Sequence, residues 1–383
     1  MVYVRITVCV LIMVLLSLLV LESDWVHSLT PLLGWGAVCV ILAFVSWFVS
    51  RSVTRIVLVP FSRISTRSRA VLVTGCDTGF GHLTALTLNR MGFFVMAACY
   101  NVNSDGAKRL GREAVHPARI KVLQMDITKE DEVREAFDTV SGILKTSSCH
   151  LYGLVNNAGI MRLGETEFSP PQSVHDYSSL LQVNALGVIR VTRTFLPLIR
   201  LSRGRVVNIS SLMARLVTPG IGAYCVSKAA CSKFTEVLQV EMSKFGVTVI
   251  GIEPWISKTN MVTGKELLES LCESWDSTPE SVKTAYTKSY FHQLFRFMAL
   301  FSAFPLDVQP EQVVNAVVEG LTSPEPNPVI TVSNPVMYIP LWIINEIMPW
   351  EFLVFYRRLA FWLIFRLLSI EQLFTGNPGS RTH

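Results

Sequence analysis

Tyr224 and Lys228 stand four residues apart, a spacing that puts both side chains on one face of a helix. A phenol titrates at about 10, too high to act as a base at neutral pH. A cation beside the phenolate lowers that value, so a lysine one turn away equips the tyrosine to take or give a hydroxyl proton. The pair alone carries little weight, because many helices present Tyr and Lys at this spacing on their surface. Ser210-Ser211 lies just upstream at the end of an apolar run, where a serine hydroxyl can hold a substrate oxygen and stabilise developing charge. Asn184 precedes it, and Asn156-Asn157-Ala158-Gly159 closes an earlier apolar run.

A second constellation comes earlier, in Thr74-Gly75-Cys76-Asp77-Thr78-Gly79-Phe80-Gly81. It sits between an apolar strand and a helical stretch. Glycines belong where a backbone turns tightly and approaches a pyrophosphate, and the following helix offers that anion free N–H groups and a positive dipole end. Such a loop implies a nicotinamide dinucleotide. A 2′-phosphate would need cations, yet Asp77 stands where one would help and Cys99-Tyr100-Asn101-Val102-Asn103 has no Lys or Arg. Asn101 is placed to hydrogen-bond the ribose hydroxyls. NAD is therefore expected in preference to NADP.

These groups need a scaffold. Residues 70–73, 93–99, 120–124, 152–155, 205–209 and 247–252 read as strands, and 82–91, 129–144, 177–201 and 224–245 as helices. The alternation predicts an α/β fold, a doubly wound parallel sheet with helices on both faces. Ligands in such sheets sit at the carboxyl ends of the strands, where the strand order reverses.

The chain has 383 residues, 50% of them hydrophobic and only 16% charged. The charge deficit sits at the two ends. Residues 2–21 and 32–49 are apolar enough for a transmembrane hairpin, which needs about 20 residues per span. A cleaved signal peptide is the competing reading, but no small-residue cleavage site follows Leu21. Arg51, Arg55, Arg63, Arg67 and Arg69 then form a basic linker at 51–69, which predicts a cytosolic catalytic domain at 70–330. An apolar tail at 331–383, interrupted by Arg357, Arg358 and Arg366, suits helices lying in a membrane interface. The expected location is the endoplasmic reticulum membrane, with a mitochondrial membrane as the alternative. A net charge of +5 with no basic face argues against nucleic acid. Eight cysteines without a C-x-x-C suggest neither a metal site nor a disulfide framework.

Taken together, Thr74, Gly75, Gly79 and Gly81, the Asn156–Gly159 run, Ser211 and the Tyr224/Lys228 pair resemble the short-chain dehydrogenase/reductase family in order and spacing, over about residues 69 to 330. The resemblance implies a Rossmann-like domain with Ser211, Tyr224 and Lys228 as a catalytic triad supported by Asn184. Ser211 is the triad serine because it lies thirteen residues before the tyrosine, leaving Ser210 as its structural neighbour. By the same resemblance Asn184 holds a proton-relay water on the lysine, Asp126 contacts adenine with Ile127 beside it, and Thr259 bonds the nicotinamide carboxamide. Asn156, Ala158 and Gly159 join the cofactor site. One departure stands out: Pro254-Trp255 replaces the family's usual Pro-Gly, and the tryptophan could crowd the nicotinamide or wall the substrate site.

The runs Arg69–Asp77, Val122–Lys129 and Phe195–Leu198 are similar to the membrane-bound hydroxysteroid and retinol dehydrogenase branch, nearest to the 17β- and 11β-hydroxysteroid dehydrogenases of type 2. That branch also holds mitochondrial 3-hydroxybutyrate dehydrogenases. An apolar substrate flap at 260–305, with Met261, Trp275, Tyr286, Phe291 and Met298 among its residues, favours a lipophilic steroid- or retinol-like alcohol over a hydroxy acid. A weakly catalytic, cofactor-binding membrane scaffold is the rival of another class. A homodimer through the helices of Asn184 and Tyr224 is implied by the family.

Overall fold

The strands begin where apolar residues run unbroken. In the computed structural model, β1 (Arg69–Thr74) is buried from its second residue on, and β2 (Phe94–Cys99) is buried throughout, as both faces of a parallel sheet require. Residue 45 and residues 65–170, 173–257, 259, 261, 265–302, 308–334, 340 and 348–375 are described. The chain divides into two units, Ser65–Leu321 with Pro326–His383, and Met1–Ile64 with Thr322–Glu325; all seven strands lie in the first.

After β1 come α1 (Gly79–Arg90), β2, α2 (Asp105–Glu113), β3 (Ile120–Gln124), α3 (Glu130–Ser147) and β4 (His150–Asn156). Next are α4 (His175–Leu181), a π-helical turn over Gln182–Gly187, α5 (Val188–Leu201) and β5 (Arg205–Ile209). A short 3₁₀ turn (Leu212–Ala214) leads to α6 (Gly222–Ser243) and β6 (Thr248–Pro254). Beyond β6 lie α7 (Lys265–Asp276), α8 (Glu280–Ser302), α9 (Pro310–Thr322), β7 (Val329–Val332) and α10 (Trp350–Thr375). Among the described residues the strands form one seven-stranded sheet in the order β3-β2-β1-β4-β5-β6-β7, parallel at every pairing. The order reverses between β1 and β4, so ligand binding is expected outside the carboxyl ends of those two strands.

The helices follow their sequence patterns. α3 opens on Glu130, Asp131 and Glu132, favourable at a positive dipole end, and buries Val133, Ala136, Val140 and Leu144 on one stripe. That stripe joins Leu72, Met96, Leu154, Val206, Val191, Phe195 and Ile199 in the main core, where Phe137 and Phe195 meet with ring centroids 5.5 Å apart.

Three features differ from the sequence expectation. The helix expected over 177–201 is interrupted by a π turn over Gln182–Gly187 that holds Asn184; the turn stays helical and no residue type marks it. β7 was not expected, being only four residues long and following Pro324, Pro326 and Pro328. α2 and α9 were also passed over. The expected anchors at 2–21 and 32–49 lie outside the described residues, Val45 excepted, as does most of the 51–69 linker. Among the described residues no helix is long and apolar enough to cross a membrane.

Phe195 is fully buried against α3. Phe195→Ala is expected to cost about 3–5 kcal/mol by equilibrium denaturation, with the protein that remains folded keeping its ligand stoichiometry.

Candidate active site

The glycine loop is built by close approach. Gly75 has φ +67, and a Cβ there would fall 2.8 Å from Ala158 Cα. A Cβ on Gly81 would fall 2.2 Å from Gly75 O and 2.4 Å from Asn157 Nδ2. Thr74 Oγ1 ties the loop to β4, accepting the N–H groups of Asn157 and Ala158, each at 3.0 Å. Asn157 returns its amide to Thr74 O and Gly75 O at 2.9 and 3.1 Å. Thr78 occupies the cap position of α1 without a side-chain capping bond, so the first turn keeps N–H groups for an anion. On the other side of the loop the Asp77 carboxylate accepts the N–H groups of Tyr100 and Asn101 at 2.8 and 3.0 Å.

At the ends of β5 and β6 the second constellation assembles. Ser211 caps the 3₁₀ turn, accepting Met213 N–H at 3.1 Å. Tyr224 and Lys228 lie one turn apart on α6, both buried, with the ammonium 5.8 Å from the ring centroid and donating to Ile209 O at 3.0 Å. Asn184, on the π turn, accepts Ile160 N–H and donates to Ile160 O, each at 2.8 Å, and to Ser227 Oγ at 2.9 Å. A Cβ on Gly159 would meet Asn184 Oδ1 at 3.2 Å and Lys228 Nζ at 3.4 Å, so these two groups converge behind that glycine.

One cavity of about 520 Å³ runs past both constellations. Of the expected site residues, Gly75, Asp77, Thr78, Gly79, Phe80, Asp126, Ile127, Ala158, Gly159, Ser211, Tyr224, Lys228 and Thr259 line it. Four do not. Gly81 backs onto Gly75 O. Asn101 turns its side-chain oxygen to Asn103 N–H in its own loop at 2.9 Å, which a reading of residue type alone could not separate from a ribose contact. Asn156 is buried, with its amide donating to Thr192 Oγ1 and Asn208 Oδ1, and Asn157 takes its place on the cavity wall. Asn184 lies behind the wall as a brace. Asp126, though on the cavity, spends Oδ1 on Thr128 N and Oγ1.

Apart from Tyr100, Thr128, Asn157, Ser210 and Ser257, the remaining wall is apolar and includes Met161, Leu163, Met213, Ile221, Trp255 and Met298. Their partners form a second core with Phe168, Leu271, Phe291 and Leu294, in which Trp275 stacks on Phe291 at 4.8 Å. Trp255 packs on this second core and extends the β6–β7 pairing through Trp255 N–H to Val332 O at 2.9 Å, which puts it on the wall shared with α8. α8 is fastened to the loop after β4 by Tyr290 to Glu165 at 2.8 Å and Tyr286 to Glu167 at 2.9 Å. Sequence reading singled out α8 for its aromatics; the loop residues Met161 and Leu163 carried no pattern that would have marked them.

The family model for short chain dehydrogenase matches residues 69–268. The chain belongs to that family. It is 37% identical over 265 residues, 68% of its length and 75% of the relative's, to the mitochondrial D-beta-hydroxybutyrate dehydrogenase of Bos taurus. It is 40% identical over 225 residues, 58% of its length and 68% of the relative's, to retinol dehydrogenase 16 of Homo sapiens. Its fold is that of a short chain dehydrogenase from Burkholderia phymatum solved in complex with NAD, with TM-score 0.58 and 20% identity over 74% of this chain and 95% of that one.

In this short chain dehydrogenase, burial pushes the Tyr224 phenol up to about 12, against the pull of a hydrogen bond with Ser211. Burial also pushes the Lys228 ammonium below its ordinary value. Among the described lining residues Lys228 is the one cation, and Asp77 and Asp126 are the acids. The close-packed glycines and the uncapped helix end fit the pyrophosphate of a dinucleotide. Gly81→Ala, whose Cβ would collide with backbone, is expected to abolish dinucleotide binding measured by fluorescence titration, while a surface glycine with open space, Gly142→Ala, leaves it intact.

Proposed function

We propose that the protein is an NAD-dependent oxidoreductase that interconverts a lipophilic primary or secondary alcohol, of hydroxysteroid or retinol type, and its carbonyl. The observation that carries this reading is the meeting of Ser211, Tyr224 and Lys228 on one cavity with the Gly75–Gly81 loop, walled beyond them by apolar side chains.

When bound, NAD supplies the hydride acceptor or donor. Gly75, Thr78, Gly79 and Phe80, at the α1 N-terminus, would hold its pyrophosphate, Asp126 and Ile127 its adenine, and Thr259 its carboxamide. Gly81, Asn156, Ala158 and Gly159 set the backbone around it. Asn101 serves through its backbone, which closes the loop onto Asp77. Asp77 and the lack of a second lining cation among the described residues support NAD over NADP, since a 2′-phosphate beside Asp77 would meet an acid.

In alcohol oxidation Tyr224 takes the hydroxyl proton; in reduction it gives one to the carbonyl oxygen. Ser211 holds that oxygen by a hydrogen bond. Lys228 favours the phenolate electrostatically, and Asn184 fixes the backbone beside the lysine. The phenolate is the base, so oxidation gains with rising pH and reduction with falling pH. The Ser211 hydrogen bond lowers the tyrosine pKa. Ser211→Ala is therefore expected to move the rising limb of kcat for oxidation to higher pH, read from a pH–rate profile, as well as lowering kcat.

Substrate choice rests on charge. A 3-hydroxybutyrate-type acid is the second reading, favoured by the identity to its dehydrogenase. Its carboxylate would need a cation, and Lys228 is committed to Ile209 and Tyr224. An apolar wall rewards a ring system or polyene instead. Membrane partners fit the same chemistry. The apolar stretches 2–21 and 32–49 form the anchor of the endoplasmic reticulum membrane, or alternatively a mitochondrial one, with the catalytic domain in the cytosol. α10 supports lipid contact by exposing Phe352, Phe355, Leu359, Trp362 and Leu363. A homodimer through α5 and α6 completes the reading.

The test is a panel of hydroxysteroids, retinol and hydroxy acids on membranes containing the protein, with NAD⁺ and NADP⁺ in parallel. Turnover of a lipophilic alcohol with higher kcat/KM for NAD⁺ is expected. Activity on 3-hydroxybutyrate alone would reverse the substrate reading. Tyr224→Phe should abolish turnover and keep NADH binding; an unchanged rate in that variant would return the protein to the scaffold class.

A further inference from the structure

The serine turn has a support that the reaction itself does not use. Glu253 is the penultimate residue of β6, immediately before Pro254, and its side chain is 3% exposed. Its Oε2 accepts a hydrogen bond from Arg215 Nε at 2.9 Å. Arg215 directly follows the 3₁₀ turn that Ser211 caps. The other carboxylate oxygen lies 3.3 Å from Ser232 Oγ, and that hydroxyl's single proton is shared with Ser210 Oγ at 2.7 Å. Ser210 in turn donates to Lys228 O at 2.9 Å, while its own N–H is held by Ile252 O at 2.8 Å.

One buried carboxylate thus touches both sides of Ser211. It reaches the residue after the turn through Arg215 and the residue before it through Ser232. Inside the turn Ser211 is held by its own neighbours, its hydroxyl accepting Met213 N–H at 3.1 Å and its carbonyl Ala214 N–H at 3.0 Å; outward it has a hydrogen bond with Tyr224 and a long contact of 3.5 Å with Pro254 O. Burying a carboxylate is costly unless it is paired, and well-packed apolar groups of similar volume are often at least as stable, so stability alone is a poor reason for an ion pair here. Geometry is a better one, because oxygen positioning in a reaction tolerates little error.

We propose that Arg215 and Glu253 are positioning residues, a clamp across the β5 and β6 ends that sets where Ser211 stands relative to Tyr224. The inference rests on the functional reading above. Neither side chain lines the cavity. The clamp therefore acts on the turnover step and leaves cofactor binding alone.

The test compares Arg215→Met, Glu253→Gln, Arg215→Lys and the Met/Gln double variant as full-length membrane protein. NADH-binding sites are counted by fluorescence titration, and kcat for the best alcohol of the panel is expressed per site. Arg215→Met and Glu253→Gln should each lose roughly tenfold or more of kcat per site, with NADH affinity unchanged. The double variant should fall no further than the worse single, since both remove the same contact. Arg215→Lys should recover most of the loss. Should Glu253→Gln yield no NADH-binding protein, the two Arg215 variants decide, because that side chain reaches solvent. Wild-type turnover per site in Arg215→Met overturns the clamp and leaves the functional reading standing. A wild type that binds NADH and turns over no alcohol or ketone overturns both.

Discussion

The fold hangs on the junction of β1 and β4, paired strands from which the sheet grows both ways. Strands leave that point in opposite directions, β1 to β2 and β3 on one side, β4 to β5, β6 and β7 on the other. Right-handed crossovers then send their helices to opposite faces, and a crevice opens above the junction. A crevice between two strand ends is a weak place, and here one hydroxyl bridges it. Thr74 Oγ1 accepts two backbone N–H groups from the β4 end, and Asn157 answers with two bonds to the β1 end. The glycines follow from this closeness. Gly75 and Gly81 have no room for a Cβ because the loop is folded down onto Ala158 and Asn157. The missing side chains are what let the loop close on the β4 end.

On the far side of the crevice the same economy of space governs the charged groups. Lys228 is buried, and its ammonium is met by a backbone carbonyl at the end of β5. Tyr224 is buried beside it and its phenol is pushed up to about 12. The two burials shift the pKa values in opposite directions, because each disfavours the ionised form of its own group. A proton moved from phenol to solvent would leave a buried phenolate with the Ser211 hydroxyl as hydrogen-bond partner and the ammonium 5.8 Å from its ring centroid. The position of Ser211 therefore matters electrostatically as well as sterically. The Arg215–Glu253 clamp bears on the same point.

Much of this was legible in the sequence, and for definite reasons. Glycines needed for close approach, an acid in the loop, and Tyr, Lys and Ser at set offsets are local signals, and they landed on the cavity. What residue type did not show was which partner each side chain takes, whether far along the chain or two residues away. Asn156 and Asn157 are neighbours of one type, yet β4 alternation sends the first inward to Asn208 and Thr192, and the second to the cavity. Asn101 has the right chemistry for a ribose, but the nearer N–H of Asn103 takes its oxygen. The π turn at Asn184 hides because it preserves a helical pattern on both sides. Glu253 reads from sequence as an ordinary charge before a proline; only the fold brings Arg215 and Ser232 to it.

Trp255 posed the sharpest doubt, since a large ring beside the nicotinamide end could have closed the site. Its backbone decides where it points its bulk. Bonding to Val332 O keeps the chain in line with β7, and the ring joins the apolar cluster of Tyr224, Leu163, Phe291 and Met298. The tryptophan is thus shared between the lining of the cavity and the core of the flap. A residue shared in this way links flap position to pocket shape. An apolar substrate pressed against it would be continuous with the packing that holds α8 in place, whereas a small hydrated acid would leave that surface wet. The physical logic that buries a core also selects what this cavity will accept.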